Sequence, residues 1–222
     1  HIIFLSSFRR DTFFKRYLTK HNIKLTSSIS LESNFVEKDI ILYIPSKLLL
    51  PNNPSFIKST ITNCKKFSFL SKGVSIFLFN EDSFKIKLAT ELASIYGKRV
   101  VLENHPKLDN QIVCCSFDWW ISQLPLIYPP NQIIIPLLPL PNLVEPINQE
   151  TISFWRSKSK NWFKEFMFPE AFQTIDKAVA PLRKNSGKLV ILDGRISNRN
   201  WGRNMLEMIQ PQKVITYMYP FD

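Results

Sequence analysis

The stretch FPEAFQTIDKAVAPLRKNSGKLVILDGR, residues Phe168–Arg195, decides how this chain is read. Pro169 suits the first turn of a helix, and the apolar spacing that follows predicts about four helical turns ending in Arg183 and Lys184. Asn185-Ser186-Gly187 is a tight turn, after which the apolar run Leu189–Leu192 predicts a buried strand closing on Asp193 and Arg195. A helix with a basic end, a turn, and a strand with a charged tip place charge at the carboxyl edge of a sheet. Open α/β sheets bind ligands along that edge.

Upstream, Thr151–Met167 is expected to be helical and carries Trp155, Trp162, Phe163 and Phe166, read as core packing rather than a base-stacking platform. Short strands are predicted at His1–Leu5, Ile40–Ile44, Val74–Phe79, Arg99–Leu102, Gln111–Cys115 and Ile133–Ile135. Helices are predicted over about Asp11–His21 and Ser55–Phe67, and from the capping stretch Asn80-Glu81-Asp82-Ser83 to about Tyr96, where Gly97 stops the last one. Several of the strands are apolar on both faces. Alternation of such strands with helices predicts a parallel, doubly wound sheet in a single domain covering residues 1–222.

The net charge of +11 points to a polyanionic partner, most simply nucleic acid, against the plainer reading of charge kept for solubility. No apolar run reaches the length of a membrane span, so no membrane partner is expected. The first residue is His1 rather than Met, which suggests a fragment of a longer protein. Cys64, Cys114 and Cys115 lack metal-ligand spacing and read as small buried hydrophobes in a reducing, cytoplasmic setting. His1, His21 and His105 form no triad or ligand pattern, and no metal site is expected. No G-x-x-x-x-G-K-[ST] loop is present, so lysines and arginines remain the main candidates for chemistry.

Several segments together resemble, in order, the second RecA-like domain of the XPD/DinG family of superfamily 2 DNA helicases. Ile3–Ser7 is similar to motif III, Gly73–Phe79 to the motif IV strand, Ile112–Pro125 to motif V, and Ile133–Pro146 to the proline-studded segment that follows. Phe168–Arg195 resembles motif VI, and Asp193 and Arg195 match its closing Asp-x-Arg; a structural salt bridge explains that pair equally well. The resemblance implies an α/β, RecA-like domain with a largely parallel sheet and helices on both faces, without its own Walker A loop. It further implies an ATP-dependent DNA helicase in the full-length protein, with ATP and Mg2+ bound mainly by a missing N-terminal helicase domain. Asn80, Ser83 and Ser116 match positions that would hold single-stranded DNA; Lys85 and Lys87 lie nearby and would add charge there, against the plainer reading of a solvated helix face.

The departures fall in motifs V and VI: the motif V positions for Glu, Gly and Asp fall on Trp119, Trp120 and Ser122. The motif VI positions for Gln, Gly, Arg and the final Arg fall on Lys177, Ala180, Pro181 and Lys184, with Arg183 one place from the last. Proline cannot act as an arginine finger, and lysine lacks the bidentate fork. Weakened or lost ATPase activity is the expectation, with Arg183 and Lys184 as the catalytic candidates and Lys177 beside them for nucleotide binding. A competing resemblance exists. Val113–Ile121 is similar to the strand–helix tryptophan signature of a BRCT domain, which implies a non-enzymatic phosphopeptide-binding module of a DNA-repair protein. It leaves Ile133–Arg195 without a place.

Overall fold

A computed structural model of the chain describes residues 24, 38–70, 73–104, 110–123, 129–209 and 212–215. The chain separates into two compact units, His1–Val36 and Glu37–Asp222, and apart from Lys24 everything described belongs to the second. The strand expected at His1–Leu5 and the helix expected at Asp11–His21 lie outside the described residues.

Seven strands form one sheet: β1 (Ile40–Tyr43), β2 (Ser75–Phe79), β3 (Val100–Leu102), β4 (Ile112–Ser116), β5 (Gln132–Ile135), β6 (Lys188–Ile191) and β7 (Gln212–Ile215). Their spatial order is β3-β4-β2-β5-β6-β1-β7, and every pairing is parallel. The apolar runs explain why. All five residues of β2 and all four of β5 are buried, which a sheet with one wet face would not require. Ile76, Phe77 and Leu78 have no exposed surface, and each such side chain contributes on the order of 2 kcal/mol by leaving water.

Parallel neighbours need crossovers, and helices supply them. Helix α1 (Phe56–Leu70) joins β1 to β2, and α2 (Asp82–Tyr96) joins β2 to β3. The short α3 (Phe117–Gln123) follows β4. The segment between β5 and β6 holds α4 (Pro146–Ser157), a π-helical turn (Phe163–Met167), α5 (Phe168–Val179) and a 3-10 turn (Ala180–Lys184). Beyond β6 come α6 (Arg195–Asn198) and α7 (Asn200–Met208).

The single helix expected over Thr151–Met167 is two pieces. It begins earlier, with Pro146 in its first turn, and breaks after Ser157, where Ser159 takes a left-handed φ of 53°. The Asn161 side chain then accepts from the Phe163 and Lys164 amides (3.1 and 3.2 Å) and starts the next turn. Trp155 is buried, whereas Trp162, Phe163 and Phe166 are half-buried, so the aromatic set is only partly core. The helix expected to run to Arg183 and Lys184 is α-helical only to Val179. Pro181 lacks an N–H and crowds the preceding turn, and the chain tightens into the 3-10 turn. The cap expected at Asn80–Ser83 is also plainer than its composition suggests: Glu81 holds the cap position without a side-chain hydrogen bond. Helices α6 and α7 and strand β7 carry no expectation from the sequence, whereas α3 falls where the BRCT resemblance places a helix.

Candidate functional site

Because every strand is parallel, their carboxyl ends share one edge. The loops after β2, β3, β4, β5 and β6 therefore bring Asn80, Glu103, Ser116, Leu138 and Asp193 to the same side of the sheet. The chain leaves β2 toward β3 on one side, while β5 leads to β6 on the other. A crevice opens at such a reversal of strand order. Asn80 stands at its rim, exposed, and Ser83 is exposed in the first turn of α2.

Lys85 is not the solvated helix lysine that its position suggests. Its side chain is only 10% exposed, and Nζ contacts Asp82 Oδ1 at 2.8 Å and Glu103 Oε1 at 2.6 Å. The Ser116 amide donates to the same Glu103 oxygen at 3.2 Å, and Ser116 Oγ accepts from the Trp119 amide at 3.2 Å. Burial alone would lower the Lys85 pKa, but the hydrogen bonds to Asp82 and Glu103 outweigh it and the net shift is upward. The hydrogen bond from Lys85 holds the Glu103 carboxyl below its ordinary range. Both groups are thus firmly charged near neutral pH. The sequence offered no sign of Glu103, which follows a strand and lies eighteen positions from Lys85.

On the far side of the crevice, Asp193 is fully buried. Arg195 grips it with Nε at 3.0 Å from each carboxylate oxygen and Nη2 at 2.6 Å from Oδ2. The Leu138 amide donates to the same carboxylate at 2.9 Å, so one side chain joins the loops after β5 and β6. The Gly194 amide donates to the Leu49 carbonyl at 3.1 Å, fastening the loop after β1 as well. A cleft of about 470 Å³ lies beside it, lined by Leu48, Leu49, Leu50, Asn52, Asn53, Pro54 and Asn198.

The nucleotide candidates are elsewhere. Lys177 is near the end of α5, and Arg183 and Lys184 are in the 3-10 turn just before β6 begins, so all three belong to the amino edge. Hydrogen bonds confirm the placement: the Lys38 amide, ahead of β1, donates to the Arg183 carbonyl at 2.9 Å, and the Asn185 side-chain amide donates to the Pro130 carbonyl ahead of β5 at 3.1 Å. Lys177 and Lys184 are exposed. Arg183 is 2% exposed, with Nη2 at 2.7 Å from Asp176 Oδ1 and Nη1 donating to the Asp176 carbonyl at 3.4 Å. The structure thus brings Asn80, Ser83, Lys85, Ser116, Asp193 and Arg195 to one edge, and Lys177, Arg183 and Lys184 to the other.

The three cysteines are free and buried. Burial pushes the Cys114 thiol up to about 12 and raises Cys64 and Cys115 as well. Among the described residues, no helix is long and apolar enough to cross a membrane.

No family model and no curated protein matches the sequence. Solved structures do match the fold. Xpd4 of S. tokodaii is similar over 87% of this chain and 42% of its own, with a TM-score of 0.57 and 13% identity. An XPD helicase structure is similar over 89% of this chain and 37% of its own, also with a TM-score of 0.57 and 13% identity. An apo XPD structure is similar over 82% of this chain and 41% of its own, with a TM-score of 0.54 and 14% identity. The chain spans less than half the length of each. Its fold is α/β and RecA-like, with a seven-stranded, wholly parallel sheet. The BRCT resemblance is not favoured, because β5 and β6, which it leaves without a place, lie inside the same sheet as β2 and β4.

Proposed function

We propose that this chain is the C-terminal RecA-like half of an ATP-dependent DNA helicase of the XPD/DinG kind, binding single-stranded DNA and forming one wall of an ATP cleft. The observation that carries the reading is the carboxyl edge. There a fold similar to that of XPD structures gathers short polar side chains, Asn80, Ser83 and Ser116, beside a reversal of strand order. Small hydroxyl and amide groups of this type, together with backbone amides, hold phosphates in register without reading bases. The net charge of +11 suits the same partner.

ATP and Mg2+ enter this reading through a first domain of the same protein. Lys177 and Lys184 lie on the surface, and a lysine ammonium suits phosphate oxygens, not a metal ion. Among the described residues, no group of three or more His, Cys, Asp or Glu is arranged to hold a metal. Arg183 reaches a phosphate only after Asp176 releases it. Nucleotide contacts made by lysines in place of arginine forks fit a weakened or lost ATPase.

The test is binding of the purified chain to a labelled single-stranded oligonucleotide across a salt series, with a phosphopeptide library and an ATPase assay alongside. The expected result is DNA binding that weakens steeply with salt, with ATP turnover at background. Selective phosphopeptide capture with negligible DNA affinity would overturn the reading. Turnover well above background would overturn the assignment as a half-site.

A further inference from the structure

We propose that Glu103 is an internal stand-in for a nucleic-acid phosphate. Its carboxylate fills a seat built by the Lys85 ammonium and the Ser116 amide, and a DNA strand must displace it to bind there. This inference deepens the strand-binding reading above and rests on it.

The seat is defined by convergence. Lys85 Nζ at 2.6 Å and the Ser116 amide at 3.2 Å meet on one oxygen, Glu103 Oε1, although they come from α2 and from the end of β4. Two donors aimed at one point from separate elements select an anionic oxygen, and a phosphate oxygen meets the same demand. The lysine is nearly buried, so its position is fixed by packing rather than by solvent. Glu103 is the more accessible partner: its side chain is 35% exposed against 10% for Lys85.

Glu103 also reaches the seat at a cost. Its φ is 41°, in the left-handed region that residues with a Cβ rarely adopt. Strain of this kind persists where surrounding contacts hold it, and here they are the Cys114 carbonyl, which accepts from the Glu103 amide at 3.2 Å, and the ion pair itself. When the carboxylate swings out, no apolar core is disturbed and Asp82 still partners the ammonium at 2.8 Å. The exposed Asn80 and Ser83 lie on the same edge and extend the line of contacts a phosphate backbone would follow.

The experiment measures binding of labelled oligothymidine to the whole 222-residue chain by fluorescence anisotropy across a salt series. Glu103→Gln is expected to tighten binding by about fivefold, roughly the full worth of a partly exposed ion pair. It is also expected to steepen the salt dependence by about one counterion. Glu207→Gln, at an exposed position of α7, is the charge-matched control and should change affinity less than twofold, within about the screening expected of a remote charge. Adding Lys85→Met to Glu103→Gln should erase the gain, with thermal unfolding run on each variant to show that it is folded. Binding by Glu103→Gln without binding by the parent supports the proposal in its strongest form. If the parent binds and Glu103→Gln binds no tighter, the proposal fails while the strand-binding reading stands. If neither binds, both fail. A gain matched by Glu207→Gln, or one that survives Lys85→Met, reduces the effect to net charge and overturns the proposal.

Discussion

Arg183 shows how little a side chain's type says about its environment. From the sequence it is a basic residue at a helix end and a candidate to meet a nucleotide. In the structure it is almost wholly buried against Asp176, which is itself 18% exposed. One signal was available: Asp176 and Arg183 are seven positions apart, two helical turns, which puts them on one face. Breaking such a pair leaves a charge buried without its partner, and the penalty is larger than the net worth of the pair. Arg183→Ala is therefore expected to lower the unfolding free energy by about 3 kcal/mol in urea denaturation, with Arg183→Lys losing less because the point charge survives. A loss under about 1 kcal/mol would place this arginine in the class of exposed pairs and reopen a direct role at a nucleotide. Glu103 had no comparable signal. Its meeting with Lys85 depends on β3 and α2 docking to the same sheet, and only the folded topology brings them together.

Elements were legible where periodicity was strong, as in β1, β2, β4, β5 and β6, whose apolar runs have no competing explanation. They were misjudged where a single residue overrode the pattern. Pro181 ended α5 early, and the left-handed Ser159 split the aromatic helix. The two helices after β6 depend on glycines whose role is steric rather than conformational. A Cβ on Gly194 would lie 2.5 Å from the Leu49 carbonyl oxygen and 2.7 Å from that of Leu48, both backbone atoms of the loop after β1. Gly194→Ala must push two loops apart and is expected to cost about 2 kcal/mol, read as a fall in the thermal midpoint. Gly97 is the useful contrast. It has open space around it, but with φ of 56° and ψ of −130° it lies where only glycine fits readily, so Gly97→Ala carries a backbone penalty of about 2 kcal/mol and no steric one. A loss at Gly194 under about 0.5 kcal/mol would mean that the loops around it yield easily and do not brace the carboxyl edge.

At the scale of the whole molecule, the parallel sheet was readable from alternation, but the strand order β3-β4-β2-β5-β6-β1-β7 was not, because order depends on which crossover packs where. That order separates the candidate residues by edge. A strand of four or five residues rises about 3.3 Å per residue, so the two edges are roughly 15 Å apart before loops are counted. The Debye length near physiological salt is about 8 Å, so a lysine at the amino edge is largely screened from a strand lying on the carboxyl edge. The expectation is then specific. Asn80→Ala combined with Ser83→Ala, which removes two short donors without changing charge, should weaken single-stranded DNA binding about tenfold while leaving its salt slope intact. Lys184→Ala, although it removes a full charge, should leave that affinity within about twofold at physiological salt. Both are read in the same anisotropy titration. The reverse pattern, with Lys184→Ala the more damaging and the slope reduced by about one, would mean that DNA crosses the amino edge. In that case Asn80 and Ser83 would have no part in the strand path, which would run past Lys177 and Lys184 ahead of β6.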